Sequence, residues 1–159
     1  MDVVIRAFDE EEWQVLRRAR LAALADSPDA FGSTLVVEEA FDEARWRSRT
    51  SSMIAALAGD EVAGLAGSFV DPAAAHVVEL VAMWVSPSRR DAGIGEALVV
   101  AVVERAARTS AHEVGLWVTV GNDPAIRLYE RCGFRSTGAR VPLPSNPSLE
   151  EERMVRSIG

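Results

Sequence analysis

The sequence predicts an α/β fold, in which one mixed β-sheet is covered by helices. The almost continuously apolar run from Val77 to Val85 is typical of a central strand that is buried on both faces. Two further strands, Met53–Ala58 and Val62–Val70, are separated by Gly59-Asp60, a pair of residues that favours a hairpin turn. Apolar residues recur at helical spacing from Ile94 to Thr109, so a helix follows the central strand.

The first elements along the chain are a short strand and a helix. Val3–Phe8 is the strand, and Asp9 with Glu12 three residues later forms the pattern of a capping box at the start of the helix. The helix runs to about Ala25 and ends before Ser27-Pro28-Asp29, because proline interrupts helical hydrogen bonding.

The remaining segments continue the alternation of strands and helices. Pro124 suits the first turn of a short helix, and Gly133 suits its C-terminal cap. The order β-α-α-β-β-β-α-β-α-β-β contains no linker or repeat, so residues 1–159 are expected to form a single domain. The predicted segments are a helix over Val36–Arg49, a strand over Val114–Val120, the short helix Pro124–Cys132, a strand that starts at Phe134, an irregular loop with Pro142, Pro144 and Pro147, and a last edge strand with Met154, Val155 and Arg156.

Composition and charge argue against several classes of protein. The formal net charge is −7, whereas proteins that bind nucleic acids carry basic faces. No apolar stretch reaches the roughly 18 residues of a membrane span, and the N-terminus lacks the pattern of a signal peptide, so we expect a cytoplasmic protein. Cys132 is the only cysteine, which excludes an internal disulfide. His76 and His112 have no further ligands at metal spacing, and no metal site is expected.

The segment between the central strand and the next helix has the composition of a phosphate-binding loop. It contains Arg89 and Arg90, followed by Gly93 and Gly95 at the start of the helix. The first N–H groups of a helix have no partner within it, and the helix dipole makes this end positive. Glycine lets backbone amides approach a pyrophosphate, and arginine adds a permanent charge with a forked donor. The segment therefore predicts a site for a cofactor that carries a diphosphate.

Two motifs resemble those of the GCN5-related N-acetyltransferases, a family that binds acetyl-CoA. Arg90-x-x-Gly93-x-Gly95 matches the family's loop signature, and the run from Asn122 to Phe134 is similar to its Asn-x-x-Ala-x-x-x-Tyr-x-x-x-Gly-Phe pattern. The element order also agrees, and Arg20–Leu24 with Ser27–Gly32 resembles a common bacterial subgroup. The resemblance therefore covers nearly the whole chain.

The resemblance implies a fold, an activity and a cofactor. The sheet would be mostly antiparallel and splayed between its fourth and fifth strands, with acetyl-CoA in the gap. The acetyl group would pass directly to a primary amine of a small molecule or peptide in a ternary complex, without a metal, a nucleic acid or a membrane. Homodimers are common in the family, although no residue here demonstrates one. The residues implied to bind acetyl-CoA are Met83, Trp84, Val85, Arg89, Arg90, Asp91, Ala92, Gly93, Ile94, Gly95, Glu96, Asn122, Ala125 and Tyr129.

Tyr129 and Glu79 are the candidate catalytic residues. The family's tyrosine at the position of Tyr129 protonates the leaving thiolate, and a phenol with a pKa of about 10 suits that task; packing under the sheet is the alternative. Glu79 is the one charge in the apolar run and stands six residues before Val85, where some family members carry a glutamate base. An unpaired buried carboxylate has a raised pKa, which suits a base that acts through a water. A position near solvent at the strand entry and a substrate-orienting role are the alternatives for Glu79. The backbone N–H of Val85 is implied to bind the thioester oxygen.

The acceptor side has no motif of its own. Phe31, Glu38 and Trp46 are candidates to line it, because the first two helices flank the acceptor in the family. Ordinary packing is the alternative for all three. Trp117 is expected in the core. The identity of the amine and the preferred acyl chain stay open at this level.

Two other functions agree with parts of the sequence. The same fold without turnover would be an acyl-CoA-binding or regulatory module, against which the pairing of Tyr129 with a complete loop argues. Gly93-x-Gly95 also begins a dinucleotide-binding motif, but Leu98 stands where that motif needs glycine or alanine. We therefore expect an acetyl-CoA-dependent N-acetyltransferase, with the non-catalytic module as the alternative.

Overall fold

The chain folds around a seven-stranded β-sheet. The structure, a computed structural model, describes residues 2–159. The strands are β1 (Val4–Ala7), β2 (Met53–Ala58), β3 (Glu61–Phe69), β4 (Val77–Val85), β5 (Glu113–Thr119), β6 (Arg135–Leu143) and β7 (Asn146–Ser157). Their order across the sheet is β1-β2-β3-β4-β5-β7-β6, and every neighbouring pair is antiparallel except β4 and β5. This arrangement confirms the predicted α/β fold class.

Helices pack on both faces of the sheet. They are α1 (Trp13–Asp26), α2 (Leu35–Glu39), α3 (Glu43–Arg49), α4 (Ile94–Ala107) and α5 (Asp123–Arg131). The predicted capping box is confirmed, because Asp9 N donates to Glu12 Oε1 over 2.8 Å while the Asp9 side chain caps the same turn. That first turn is a 3₁₀ turn, and the α-helix begins directly after it. Among residues 2–159, no helix is long and apolar enough to cross a membrane.

The two parallel strands pair over only three positions and then separate. The last pair is Glu79 with Gly115, and β4 continues from Leu80 to Val85 without a partner on the β5 side. Backbone N–H and C=O groups on this edge therefore lack sheet partners, and a buried edge of this kind requires other hydrogen-bonding groups. The predicted splay between the fourth and fifth strands is confirmed.

A β-bulge lies in the unpaired half of β4. Leu65 pairs with Trp84 and Gly67 pairs with Val81, so two residues of β4 stand opposite one residue of β3. Ala82 takes a φ of 57°, which is uncommon for a residue with a side chain. Bulges redirect the strand and its side chains, and they are frequent beside active sites. Here the bulge lies in the part of β4 that no longer pairs with β5.

The core consists of one apolar layer on each face of the sheet. On one face α4 and α5 cover the central strands, with Leu98, Val102 and Phe134 at most 2% exposed. On the other face α1 and α3 pack through Leu16, Leu24 and Trp46. The two layers hold β4 and β5 between them, which fixes the gap where these strands diverge.

The predicted helix over Val36–Arg49 is wrong in one respect, because two helices occupy this stretch. Thr34 Oγ1 accepts a hydrogen bond from Val37 N and caps α2, and Asp42 Oδ1 accepts one from Arg45 N and caps α3. Short polar side chains favour such helix starts over continuous helix. The cap at Asp42 therefore starts a second helix where apolar spacing alone predicts continuation.

Two predictions for the C-terminal part of the chain are wrong: the irregular loop with Pro142, Pro144 and Pro147, and the position of the last strand at the edge of the sheet. β6 runs through Pro142 and β7 begins at Asn146, so the prolines lie in a long terminal hairpin. β7 is an inner strand between β5 and β6, and β6 forms the edge of the sheet. Proline is tolerated on an edge strand and at the first residues of a strand, where no ladder hydrogen bond is lost. The composition of this stretch thus reflects its edge position.

Candidate functional site

A cavity of about 510 Å³ opens where β4 and β5 diverge. Its walls are the unpaired end of β4, the segment from Arg89 to Glu96, the end of β5 and one face of α5. The structure brings together all the residues expected to bind the cofactor except Ala92, which does not line the cavity. The predicted residues that line it are Met83, Trp84, Val85, Arg89, Arg90, Asp91, Gly93, Ile94, Gly95, Glu96, Asn122, Ala125 and Tyr129.

The N-terminus of α4 forms one end of this cavity. Gly93 precedes the first helical residue with a φ of 82°, and no side chain caps the first N–H groups. A Cβ built on Gly95 would lie 3.0 Å from Leu128 Cδ2 and within 3.7 Å of Met83 and Val85, all of which line the cavity. Glycine at position 95 therefore keeps this wall open. Free helical N–H groups beside an open glycine wall suit the diphosphate of acetyl-CoA.

Both arginines of the loop are held by carboxylates. Arg90 Nε donates to the Val85 carbonyl oxygen over 3.0 Å, and Arg90 Nη2 donates to Asp26 Oδ2 over 2.6 Å. Arg89 Nη2 lies 2.8 Å from Glu61 Oε2. Hydrogen bonds from Ser27, Trp84 and Arg90 lower the pKa of Asp26. A diphosphate would bind Arg90 through its remaining N–H groups, or it would replace the carboxylate partners of the two arginines.

Tyr129 projects from α5 into the same cavity. Its ring packs edge-on against Phe134 with centroids 6.0 Å apart, and the residue is 6% exposed. Burial, with a smaller contribution from Cys132, raises the pKa of the phenol, so the hydroxyl keeps its proton at neutral pH. Within the described residues this hydroxyl has no hydrogen-bond partner. A protonated donor that faces an open cavity is available to a ligand.

A second cavity of about 330 Å³ adjoins the first. The two share part of their walls, so one continuous opening passes between the diverging strands. A 3₁₀ turn (Pro28–Ala30) is attached to the end of β5 beside this opening, since Thr119 Oγ1 donates to the Asp29 carbonyl oxygen over 2.6 Å. The shared lining residues are Ala30, Phe31, Leu80, Val81, Ala82 and Trp117.

Glu79 lines the second cavity as one half of an ion pair. Arg153 Nη1 and Nη2 donate to the two carboxylate oxygens over 2.5 and 2.7 Å. The guanidinium crosses Gly115, where a Cβ would collide with it, and lies 5.4 Å from the Trp117 ring centroid. The ion pair thus links β4 to β7 across β5, at the last position where β4 and β5 are paired. Glu79 is a partnered carboxylate, and the guanidinium occupies both of its oxygens.

The other predicted acceptor residues occupy different positions. Phe31 lines both cavities. Glu38 is 2% exposed and accepts hydrogen bonds from Arg20 and Arg49, whose side chains line the second cavity. Trp46 is fully buried in the core behind them and lines neither cavity. Glu38 therefore acts on the cavity only through the two arginines.

Glu38 makes the protein sensitive to acid. Burial alone would raise the pKa of Glu38, but the hydrogen bonds from Arg20 and Arg49 outweigh it and lower the pKa from 4.5 to about 2. Because the folded-state pKa is below that of the unfolded chain, the ionised carboxylate stabilises the fold above pH 4.5. We expect this stabilisation, about 3 kcal/mol, to disappear as the pH falls towards 2.

Urea unfolding at several pH values measures this effect. Glu38→Gln should show a shallower loss of unfolding free energy below pH 4.5 than the wild type. Glu39→Gln, a change at the exposed neighbouring residue, should behave as the wild type. Equal pH dependence in Glu38→Gln and the wild type would contradict the assignment.

Four residues of the site carry no recognisable signal in the sequence. Asp26 and Arg153 are partners of predicted residues, 64 and 74 positions away along the chain. Trp117 is 38% exposed in the opening and not in the core as expected, and Glu151 lines the second cavity. An alternating strand pattern over residues 146–157 would place Glu151 and Arg153 on one face, but it does not reveal which strand lies beside them.

Several known proteins are similar to this chain. The model of the acetyltransferase (GNAT) family matches residues 15–134. An uncharacterised N-acetyltransferase of Methanocaldococcus jannaschii is 41% identical over 59 residues, which are 37% of this chain and 26% of that protein. The chain therefore aligns with only about a quarter of the length of this curated relative.

Two solved structures have a similar fold. The structure of yncA from Salmonella typhimurium, with its cofactor acetyl-CoA, matches with a TM-score of 0.79 at 19% identity, over 100% of this chain and 95% of the other. A ribosomal-protein-alanine N-acetyltransferase from Brucella melitensis matches with a TM-score of 0.77 at 24% identity, over 97% of this chain and 99% of the other. At these identities the likeness concerns the fold.

Proposed function

The chain belongs to the acetyltransferase (GNAT) family, and on this premise we propose that it is an acetyl-CoA-dependent N-acetyltransferase that acts on a primary amine. The observation that carries the proposal is the opening between β4 and β5, which joins a helix N-terminus, an unpaired strand edge and a buried protonated tyrosine in one cavity. We expect the enzyme to act in the cytoplasm, on a small-molecule or peptide amine.

The cavity fits each chemical part of acetyl-CoA. The free N–H groups after Gly93 suit the diphosphate, and the open wall at Gly95 gives it access. The unpaired backbone of β4 up to Val85 offers hydrogen bonds to the amide groups of the pantetheine arm, and a backbone N–H at Val85 is proposed to bind the thioester oxygen. When bound, acetyl-CoA supplies an acetyl group activated as a thioester.

Tyr129 is proposed to act as the general acid. As the nitrogen–carbon bond forms and the carbon–sulfur bond breaks, Tyr129 donates its proton to the sulfur, and solvent later returns a proton to the phenol. The raised pKa of Tyr129 keeps the donor protonated at neutral pH. The attacking nitrogen of a neutral amine loses its surplus proton on the acceptor side, which balances the proton that solvent returns to the phenol, so amine and thioester give amide and thiol without net proton release.

Glu79 is proposed to position the site. Arg153 donates a hydrogen bond to each carboxylate oxygen of Glu79, so both oxygens are engaged within the protein. The ion pair fixes the point at which the two central strands separate. Its contribution to the reaction is therefore the geometry of the opening.

Calorimetry with acetyl-CoA tests the cofactor site first. We expect Gly95→Asp to weaken acetyl-CoA binding by about tenfold or more, because its side chain enters the cavity and places a negative charge near the diphosphate. Val100→Asp adds the same charge to the exposed face of the same helix and should bind as the wild type. Thiol release with a panel of amines then measures turnover.

Each outcome of this test has a consequence. Absence of acetyl-CoA binding to the wild type would contradict the cofactor site. Tight binding without thiol release for any amine would favour the non-catalytic acyl-CoA-binding module. Binding that is lost in Gly95→Asp but kept in Val100→Asp, together with thiol release, supports the enzyme.

A further inference from the structure

The second cavity has opposite charges at its two ends. Its polar lining consists mainly of Arg20 and Arg49 from the helical layer and of Glu79 and Glu151 from the sheet. Glu79 is neutralised by Arg153 at 2.5 Å, so this pair adds no net charge. The remaining charges are separated between helices and sheet, and they decide which acceptor the cavity favours.

The helical end carries one positive charge in excess. Glu38 is the common partner of both arginines, and it lies 3.0 Å from Arg20 and 2.8 Å from Arg49. Two guanidinium groups thus share one carboxylate. The Arg20 side chain is 7% exposed, and its Nη1 is buried without a hydrogen-bond partner among the described residues. The Arg49 side chain is 23% exposed, so the excess positive charge reaches the cavity through Arg49 and favours an anionic ligand.

The sheet end carries one negative charge that no cation neutralises. Glu151 pairs with Thr119 on β5 and with Val141 on β6, and neither side chain is charged. Glu151 lies on the same face of β7 as Arg153, about 7 Å along the strand, but Glu79 occupies that guanidinium. Within residues 2–159 the Glu151 carboxylate forms no ion pair or hydrogen bond. Burial raises the pKa of Glu151, as expected for a partly buried carboxylate without a cationic partner.

We propose that the acceptor is a small zwitterionic amine, an amino-acid-like molecule whose anionic group binds at Arg20 and Arg49 and whose amine binds at Glu151. The inference rests on the proposed acetyl transfer and names the substrate class of that site. A plain amine would leave the excess positive charge at the helical end unmatched. A zwitterion matches both ends and brings its nitrogen to the sheet, beside the opening that the two cavities share.

Glu151 then takes part in the proton transfer. Its carboxylate accepts a hydrogen bond from the ammonium group and removes one proton, which leaves the nitrogen lone pair free to bond to the acetyl carbon. The second surplus proton leaves after the nitrogen–carbon bond forms, and the sulfur receives the proton of Tyr129. The sum is one acetamide, one thiol and one released proton for each ammonium consumed.

Thiol release with the twenty standard L-amino acids and their carboxamides tests the proposal. Each pair shares the amine and the side chain, but the carboxamide lacks the carboxylate. We expect at least one free amino acid to be acetylated with a kcat/KM about tenfold or more above that of its carboxamide. Arg49→Gln should abolish this preference, Arg49→Lys should retain part of it, and Arg47→Gln on the same helix should leave it unchanged.

A second pair of variants tests the role of the Glu151 carboxylate at the sheet end of the cavity. Glu151→Gln should lower kcat for every acceptor and leave acetyl-CoA binding unchanged, whereas Glu150→Gln, at the exposed neighbouring position, should do neither. Since burial raises the pKa of Glu151, the ionised carboxylate opposes folding at neutral pH, and Glu151→Gln should unfold at the same temperature as the wild type or higher. Loss of activity then does not come from unfolding.

The failure of this inference differs from that of the proposed function. Suppose that the protein binds acetyl-CoA and that thiol release is as fast with carboxamides as with amino acids, or occurs only with amines that lack an anionic group. This result would support the acetyltransferase but contradict the zwitterionic acceptor. An unchanged kcat in Glu151→Gln would contradict the proposed role of Glu151 in binding and deprotonating the amine. Absence of acetyl-CoA binding would instead refute the enzyme itself.

Discussion

Replacing Tyr129 by Phe should lower kcat by about 10²- to 10⁴-fold, the usual contribution of a general acid. The variant removes the hydroxyl that α5 places against the cavity between β4 and β5. The ring would stay in place, because it packs against Phe134 and not through its hydroxyl. Thiol release at saturating acetyl-CoA and amine measures the change.

Two readouts separate chemistry from folding in Tyr129→Phe. The hydroxyl has no partner among the described residues, so its removal should change the free energy of unfolding by less than about 0.5 kcal/mol. Acetyl-CoA binding by calorimetry should stay within a factor of about two. A variant with normal kcat, or one whose acetyl-CoA binding falls as much as its activity, would assign Tyr129 to packing.

Replacing Arg153 by Met should destabilise the protein by about 3–5 kcal/mol, because it leaves the Glu79 carboxylate without its partner in a mostly buried place. The two side chains are 17% and 15% exposed, so solvent replaces little of the lost interaction. The link between β4 and β7, which passes over Gly115 where β4 and β5 separate, would also be lost. Urea unfolding at neutral pH measures the effect.

A double-mutant cycle distinguishes the ion pair from simple loss of packing. Glu79→Leu combined with Arg153→Met should recover much of the stability, since no buried charge is then left unpaired. A double variant as unstable as the sum of the single variants would show that the two side chains do not interact.

Glu79→Gln addresses the reaction separately. Glutamine still accepts one hydrogen bond from Arg153, so for a positioning residue we expect a lower stability and a kcat within about tenfold of the wild type. A loss of about 10²-fold or more in the folded variant would make Glu79 the base.

Short-range patterns predicted most of the fold and much of the lining of the cavity between β4 and β5. The capping box at Asp9, the hairpin turn at Gly59-Asp60 and the loop from Arg90 to Gly95 each depend on residues within a few positions of one another. Such patterns act through local hydrogen bonds and backbone preferences, which a single sequence contains. The terminal hairpin was missed because its prolines suit an edge strand as well as a loop.

By itself, the sequence determined the fold class, most of the order of the elements and many of the residues that line the opening between β4 and β5. Only the tertiary structure decided that Glu79 is paired with Arg153, that Arg20 and Arg49 share Glu38, and that Glu151 has no partner. The physical reason is that ion pairing depends on which strands and helices become neighbours and in which register. Those neighbours lie many positions apart along the chain, and short-range sequence patterns do not indicate which distant residues come close in space.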